Sequence, residues 1–175
     1  MSLDVALLVG GWSAEREVSL EKGKAVESAL KKCGYNVRVI DVKKDLEALI
    51  KDLTPKPDVV FNNLHGTGGE DGVIQGVLEV LNIPYTHSKV CASAIAMDKP
   101  KTKALVSTVG VPSPKGALVS QEEFVKNGSP IPRPYVIKPP KEGSSVGVYI
   151  VRDGDNREFN ENNWEFGEFA LIEEF

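Results

Sequence analysis

Short apolar runs alternate with stretches of helical periodicity in the first half of the chain. Apolar runs typical of buried parallel strands lie at Val5–Val9, Asn36–Asp41 and Asp58–Asn62, and Ile83–Thr86 is either a brief fourth strand or an extended segment. Between them, apolar residues spaced as on one helix face predict three helices. The positions are Val18, Ala25, Val26, Ala29, Leu30 and Cys33, then Leu46, Leu49, Ile50 and Leu53, then Val73, Ile74, Val77, Leu78 and Leu81. A right-handed crossover makes the first two strands parallel neighbours.

The pattern changes near Ser88. Helices are predicted at 90–97 and 99–108, with a short one capped by Ser120 at 121–126. Strands are predicted at 117–119, 135–137, 148–151 and 169–175, whereas the polar, Asn-rich residues 153–165 predict a loop. We therefore expect an α/β protein in two parts, a parallel-sheet domain over residues 1–90 and a smaller α+β domain over 91–175, with the boundary near 87–97.

Composition and charge narrow the class of protein. The 175 residues are 41% hydrophobic and 26% charged, with a net charge of −4, so no general basic surface points to nucleic acid. The only cysteines, Cys33 and Cys91, form no CxxC motif, which argues against a disulfide framework or structural zinc. No apolar run reaches the ~20 residues that span a bilayer. We expect a cytoplasmic protein without a membrane or nucleic-acid partner.

Two polar loops in the first half carry candidate chemistry. Gly10–Gly11 follows the first strand, with Ser13 as a predicted helix N-cap and Glu15 and Glu17 in the first turn. These carboxylates would repel a pyrophosphate, so the loop suits a cation such as an amino-acid ammonium, or it is a tight turn with dipole-compensating glutamates. His65 lies in a Gly-rich loop at a strand's carboxyl end, where it is a hydrogen-bond donor, a proton carrier or a group that satisfies loop backbone. His87 lies in no motif.

The second half contains a glycine-tipped hairpin. The stretch Lys138–Gly147 places two glycines, two serines and a basal lysine between short strands, which suits a polyphosphate cradle or simply a turn. Lys99 begins a helix with Asp98 as its predicted cap, and taken alone it is a solvated lysine. Glu173, near the end of the last strand, is either an edge-strand charge or an acceptor for an adenine amino group.

Four of these stretches together resemble one family. Gly10–Ser19, His65–Gly76, Met97–Lys99 and Lys138–Gly147 resemble, in the same order, the signatures of D-alanine–D-alanine ligases, and the resemblance spans Val5–Phe175. It implies an ATP-grasp enzyme of peptidoglycan precursor synthesis, in which ATP phosphorylates one D-alanine and a second D-alanine attacks the acyl phosphate. It also implies a Rossmann-like domain followed by the small subdomain of an ATP-grasp module.

The resemblance also implies roles for particular residues. Glu15 would hold the ammonium of the first D-alanine, His65 would lie beside its carboxylate, and Ser144 would hydrogen-bond to Glu15. The nucleotide residues would be Lys99 and Lys138 at the phosphates, Gly143, Ser145 and Val146 in a closing loop, and Glu173, Glu174 and Phe175 around the adenine. The implied cofactors are ATP and Mg²⁺.

The family continues far beyond Phe175, and its magnesium ligands lie in that further part. We therefore expect no metal ligand in this chain, and no activity from these 175 residues alone. A homodimer through the N-terminal domain is implied as well. The alternatives are a D-alanine–D-lactate ligase, another ATP-grasp ligase of amino acids or peptides, and a non-catalytic nucleotide-binding or dimerisation module.

Overall fold

A computed structural model describes residues 2–175, which form two compact units. One unit ends at Met97 and the other runs from Asp98 to Phe175. The first contains β1 (Asp4–Gly10), α1 (Arg16–Lys32), β2 (Asn36–Val42), α2 (Leu46–Asp52), β3 (Val59–Asn62), α3 (Val73–Val80) and α4 (Val90–Met97). Its strands form a parallel sheet in the order β2-β1-β3, which confirms the predicted parallel sheet.

The middle strand β1 explains the continuous apolar run near the start of the chain. Val5 to Val9 are all at most 4% exposed, because β1 has a neighbouring strand on each side and packing on both faces. One face belongs to a core shared with the second and third helices. Its buried members are Ala6, Leu8, Ile40, Val42, Leu49, Leu53, Val60, Leu64, Ile74, Leu78 and Ile83.

Helix α1 differs from the prediction. Its expected apolar face is largely exposed, with Val18 at 40% and Cys33 also exposed. The residues that α1 buries are Ser19 and Gly23. Ser19 Oγ donates to Asn63 O at 2.6 Å, and a Cβ on Gly23 would stand 2.5 Å from Val9 Cγ1. Small residues thus bring α1 close to the sheet, and a search for large apolar residues misses that face.

One further prediction in this unit is wrong, and one pair of alternatives is decided. The first helix begins at Arg16 with Glu15 in the N-cap position, so Ser13 is not its cap. Ser13 Oγ instead accepts from Glu15 N at 3.1 Å, within the loop. The 83–86 segment makes one parallel bridge, Val60 to Tyr85, and is therefore extended chain rather than a full strand.

The second unit contains an antiparallel sheet in the order β4-β7-β5-β6. Its elements are α5 (Lys99–Ser107), β4 (Gly116–Ser120), α6 (Gln121–Asn127), β5 (Tyr135–Lys138), β6 (Tyr149–Val151) and β7 (Phe169–Glu174). Strands β5 and β6 pair as the predicted hairpin, and Ser120 caps α6 by accepting from Glu123 N at 3.1 Å. Strand β7 lies between β4 and β5, so residues on it are not edge-strand residues.

Successive side chains along a strand point to opposite faces of the sheet. In this sheet one face is apolar and the other carries charged residues. The apolar face forms a hydrophobic cluster together with aromatic residues from the 153–165 loop and the residues after it. Its buried members are Val119, Phe124, Tyr135, Ile137, Val151, Phe159, Phe166, Ala170 and Ile172. Residues 152–168 form no helix or strand, as expected, yet Phe159 and Phe166 anchor them with ring centroids 5.2 Å apart. The opposite face carries Lys138 and Glu173.

Candidate functional site

Two loops meet at the carboxyl ends of β1 and β3, where open α/β sheets bind ligands. Ser13 Oγ donates to His65 O at 2.7 Å, which joins the loop after β1 to the loop after β3. Glu15 Oε2 lies 3.0 Å from the place that a Cβ on Gly66 would occupy, and Gly66 has a φ of +65°. A side chain at this position would therefore be strained and would press on the carboxylate. The structure thus brings Glu15 next to the loop that carries His65.

The imidazole of His65 has a ring nitrogen with no partner among residues 2–175. Its Nε2 is buried without a hydrogen bond, although most buried polar atoms in proteins have one. This nitrogen does not satisfy loop backbone, which was one reading of His65 from the sequence. A buried imidazole nitrogen without a partner suits a ligand that carries a hydrogen-bonding group.

The other polar side chains of this loop hold its backbone. Asn62 Nδ2 and Gln75 Nε2 each donate to Gly69 O at 2.9 Å. The acidic side chains accept from the loop's own N–H groups, namely Glu70 Oε2 from Gly66 N at 2.7 Å and Asp71 Oδ2 from Gly68 N at 2.8 Å. The loop is therefore fixed before any ligand arrives, and the sequence did not reveal these supporting roles.

Arg16 fixes the glycine turn from the other side. Its Nη1 donates to Gly11 O at 3.0 Å, and its two terminal nitrogens each lie 2.8 Å from an oxygen of Asp41. The hydrogen bond from Arg16 is the main reason that the pKa of Asp41 is lowered. Asp41 was missed from the sequence because it comes from β2, 25 residues away.

His87 contributes more than the sequence suggested. Its Nδ1 lies 3.1 Å from Asn62 Nδ2, the same amide that holds Gly69 O. Its φ of +99° is in the left-handed region, where non-glycine residues are uncommon. His87 and Glu70 line a cavity of about 440 Å³ together with Ser88, Ala92, Ser93, Ala96 and Met97. His87 therefore supports the loop and borders the space beside it.

In the second unit, Glu173 lies between two lysines. Its side chain is 7% exposed, with Oε2 paired to Lys138 and Oε1 paired to Lys103. Val136 is the β5 partner of Glu173, which places Lys138 two residues further along on the same face. Burial alone would raise the pKa of Glu173, but the hydrogen bonds from Lys103 and Lys138 outweigh it and the pKa is lowered. The carboxyl group is thus held ionised, and Lys103 is a partner that the sequence reading missed.

Lys99 is attached to the base of the glycine-tipped hairpin. Its ammonium donates to Pro139 O at 3.3 Å and to Glu142 O, and its backbone N–H donates to Pro140 O at 3.0 Å. Burial is the largest cause lowering its pKa, followed by the charge of Lys138. Lys99 is therefore not the freely solvated lysine that its position alone suggests.

Asp98 caps α5 as predicted, through a hydrogen bond from Lys101 N at 3.1 Å. It thereby fixes the first turn of the helix on which Lys99 stands. Its carboxylate also pairs with Lys101 Nζ at 2.9 Å and lies 3.6 Å from Lys141 Nζ.

The tip of the hairpin turns tightly. Val146 N donates to Gly143 O at 3.0 Å, and both serines have positive φ, +49° at Ser144 and +62° at Ser145. All three residues after Gly143 are exposed. The phosphate-closing role of this loop and the expected hydrogen bond from Ser144 to Glu15 stay predictions.

The end of the last strand was predicted to line an adenine site. Glu174 N donates to Lys115 O at 2.9 Å, so sheet pairing already uses this donor. The Arg152 guanidinium lies 4.8 Å from the centroid of the Phe175 ring, which is a cation–π contact. Adenine binding by these residues stays a prediction.

Neither a membrane span nor a metal cluster occurs over residues 2–175. No helix in that range is long and apolar enough to cross a bilayer. Nor does the same range hold a group of three or more His, Cys, Asp or Glu side chains placed to bind a metal ion.

Comparisons with known sequences agree with the signatures. A family model described as the D-ala D-ala ligase N-terminus matches residues 46–88. The D-alanine–D-alanine ligase of Acidiphilium cryptum is 54% identical over 172 residues, which cover 98% of this chain and 57% of that protein. The ligase of Granulibacter bethesdensis is also 54% identical, with 98% and 56% covered. The chain thus spans somewhat more than half the length of the curated relatives it matches.

Solved structures agree in fold. The D-alanine–D-alanine ligase of Bacillus anthracis superposes with a TM-score of 0.78 at 30% identity, over 99% of this chain and 58% of that one. The same enzyme in complex with ATP gives a TM-score of 0.78 at 29% identity, over 100% and 57%. The likeness covers both units of the present chain.

Proposed function

We propose that this chain, which corresponds in sequence and fold to the N-terminal portion of D-alanine–D-alanine ligases, carries the first D-alanine site and part of the ATP site of such an enzyme. This chain covers 57% of the relative from Acidiphilium cryptum. We therefore propose the ligase activity for the whole protein to which the chain corresponds. Among the alternatives, the dipeptide ligase has more support than the D-lactate ligase, since the matched relatives are named D-alanine–D-alanine ligases.

The observation that carries the proposal is the pairing of Glu15 with the His65 loop. An amino acid is a zwitterion, so its site needs an anion for the ammonium and a donor for the carboxylate. Glu15 Oε2 lies against Gly66, and the neighbouring His65 has a buried, unpartnered Nε2. Glu15 would bind the ammonium and His65 the carboxylate, with the glycine between them leaving room for a small substrate.

The second unit supplies positive charge for phosphates. Lys99 and Lys138 are each partly buried, and in this structure backbone carbonyls and Glu173 hold their ammonium groups. A polyphosphate would compete for these donors and be neutralised by them. Glu173 would then accept from the exocyclic amine of adenine, and the 143–146 loop would close over the phosphates and exclude water.

The reaction that follows has two steps. A carboxylate oxygen of the first D-alanine takes the γ-phosphoryl group, which releases ADP and forms an acyl phosphate. The amine of the second D-alanine attacks the acyl carbon, phosphate leaves with the bonding pair, and the new amide loses a proton. Use of Mg²⁺, a role in peptidoglycan synthesis, a cytoplasmic location and a homodimer through the first unit complete the proposal and follow from the family resemblance.

A charge-removing substitution tests the amino-acid site. In the natural full-length protein, Glu15→Gln should raise the KM for D-alanine at the first site, with nucleotide affinity unchanged, because only the ammonium partner is lost. Glu17→Gln is the matched control, since Glu17 is also acidic and lies in the first turn of α1 but is exposed. Steady-state phosphate release measured against D-alanine concentration gives the KM for D-alanine, and the same rate measured against ATP concentration gives the KM for ATP. A Glu15→Gln protein that is impaired mainly in ATP binding would contradict the assignment of Glu15 to the ammonium of D-alanine.

A further inference from the structure

Lys103 pairs with Glu173, a residue of the proposed nucleotide site, but the proposed function gives Lys103 no role. It lies one helical turn after Lys99 on α5, so the two side chains leave the helix on the same face. Its ammonium binds Glu173 Oε1 and also Pro114 O at 2.6 Å. Its side chain is 22% exposed, against 70% for Lys101 on the same helix. Lys103 is therefore a lysine built into the structure rather than a solvated one.

The two lysines on Glu173 have different tasks under the proposed function. Lys138 is assigned to the phosphates, so binding of ATP would draw it away from Glu173 Oε2. Lys103 has the Pro114 carbonyl as a second anchor and would stay. Without Lys103, a nearly buried carboxylate would lose the last cation that hydrogen-bonds to it, and such a group takes up a proton rather than stay charged.

The protonation state of Glu173 decides which base it can recognise. An ionised carboxylate only accepts hydrogen bonds, and its two oxygens offer about four lone-pair sites, so Oε1 can bind Lys103 while Oε2 accepts from an amine. A 6-aminopurine offers an N–H at this point, whereas a 6-oxopurine offers an oxygen that the carboxylate repels. A site built to pair with one group rejects the analogue that lacks it.

We infer that Lys103 is a positioning residue that keeps Glu173 as an anionic acceptor for the exocyclic amine of a 6-aminopurine nucleotide, so that selection of the base depends on Lys103. This inference rests on the nucleotide site of the proposed function. It gives Lys103 no contact with the nucleotide itself; the residue acts through Glu173.

The test pairs changes in the protein with changes in the base. Dissociation constants of ATP, of purine riboside triphosphate, which has hydrogen in place of the amine, and of ITP are measured by calorimetry on the natural full-length protein. A hydrogen bond to a charged group predicts that the unaltered protein binds ATP about 10- to 100-fold more tightly than purine riboside triphosphate. In Lys103→Met this ratio should fall below about 3-fold, and Lys103→Arg should restore it. Lys101→Met, on the exposed side of α5, should keep the original ratio.

The possible outcomes separate the inference from the function beneath it. Equal loss of affinity for all three nucleotides in Lys103→Met overturns the inference, because Lys103 would then act on the phosphates or on the fold. A ratio near one in the unaltered protein also overturns it, yet leaves the phosphate site standing. Absence of any nucleotide binding by the unaltered protein refutes the proposed ATP site itself. Should Lys103→Met fail to fold, Lys103→Gln undergoes the same comparison.

Discussion

The close packing of α1 on the sheet predicts how Gly→Ala substitutions change the free energy of unfolding. Two helical glycines differ in the space around them, so the same substitution should have different effects at the two positions. A Cβ on Gly23 in α1 would stand 2.5 Å from Val9 Cγ1 and 3.4 Å from Val9 Cβ. Val9 is 4% exposed and β-branched, so it has little freedom to move away. A Cβ on Gly76 in α3 would meet only Val90 Cγ2, at 3.9 Å, which is ordinary contact.

Both Gly→Ala substitutions gain about 0.5–1 kcal/mol from helix propensity and the stiffer unfolded chain. At Gly23 an overpacking cost of about 1–3 kcal/mol opposes that gain. We therefore expect Gly76→Ala to raise the free energy of unfolding by about 0.5–1 kcal/mol, and Gly23→Ala to lower that free energy or leave it unchanged. The difference between the two variants, about 1–3 kcal/mol, isolates the steric cost.

Urea unfolding followed by Trp12 fluorescence gives these values for the first unit. The chain has two tryptophans, so all variants carry Trp164→Phe to silence the second unit. Equal stabilisation by both substitutions would refute the close approach of α1 to β1. It would also remove the support for the position of Glu15, which immediately precedes this helix.

Three further predictions concern the second unit. Lys138→Ala should weaken ATP binding about 10- to 100-fold through loss of a charge-assisted contact, whereas the exposed Lys126→Ala should not, and equal ATP affinity in both variants by calorimetry would remove Lys138 from the phosphate site. The pKa of Glu173 is lowered from its ordinary value of 4.5, so its ion pairs stabilise the fold fully above that pH and lose this effect as the pH falls through the lower folded value. The free energy of unfolding should therefore drop more steeply below about pH 4.5 in the unaltered chain than in Glu173→Gln, and parallel curves would contradict the ion pairs. Asp98→Ala should cost about 0.5–2 kcal/mol by removing the cap of α5, whereas Asp98→Asn should cost much less, and equal losses in thermal unfolding would show that charge rather than capping matters.

Local patterns in the sequence identified the features that depend on neighbouring residues. The run Val5–Val9 predicted a buried parallel strand, because burial on both faces requires uninterrupted apolar side chains. The hairpin around Lys138–Gly147 and the caps at Asp98 and Ser120 follow from turn and capping chemistry within a few residues. These elements were confirmed as predicted.

Features that depend on contacts between distant residues could not be predicted from the sequence. Lys103 and Glu173 are 70 positions apart, and nothing local indicates that one lysine of α5 reaches a buried carboxylate while Lys101 stays exposed. The buried face of α1 was missed because Ser19 and Gly23 pack through small size and hydrogen bonding. The candidate site residues were predicted from four signatures taken together. Their order along the chain is more specific to one family than any single loop is.

The proposed function requires that the chain serve an enzyme which activates D-alanine as an acyl phosphate. The natural full-length protein, supplied with Mg²⁺, ATP and D-alanine labelled with ¹⁸O in its carboxylate, tests this directly, with the products read by mass spectrometry. We expect D-alanyl-D-alanine, together with phosphate carrying one ¹⁸O per dipeptide formed, because the activated carboxylate loses one oxygen to phosphate. Unlabelled phosphate, or phosphate released without dipeptide, would contradict it.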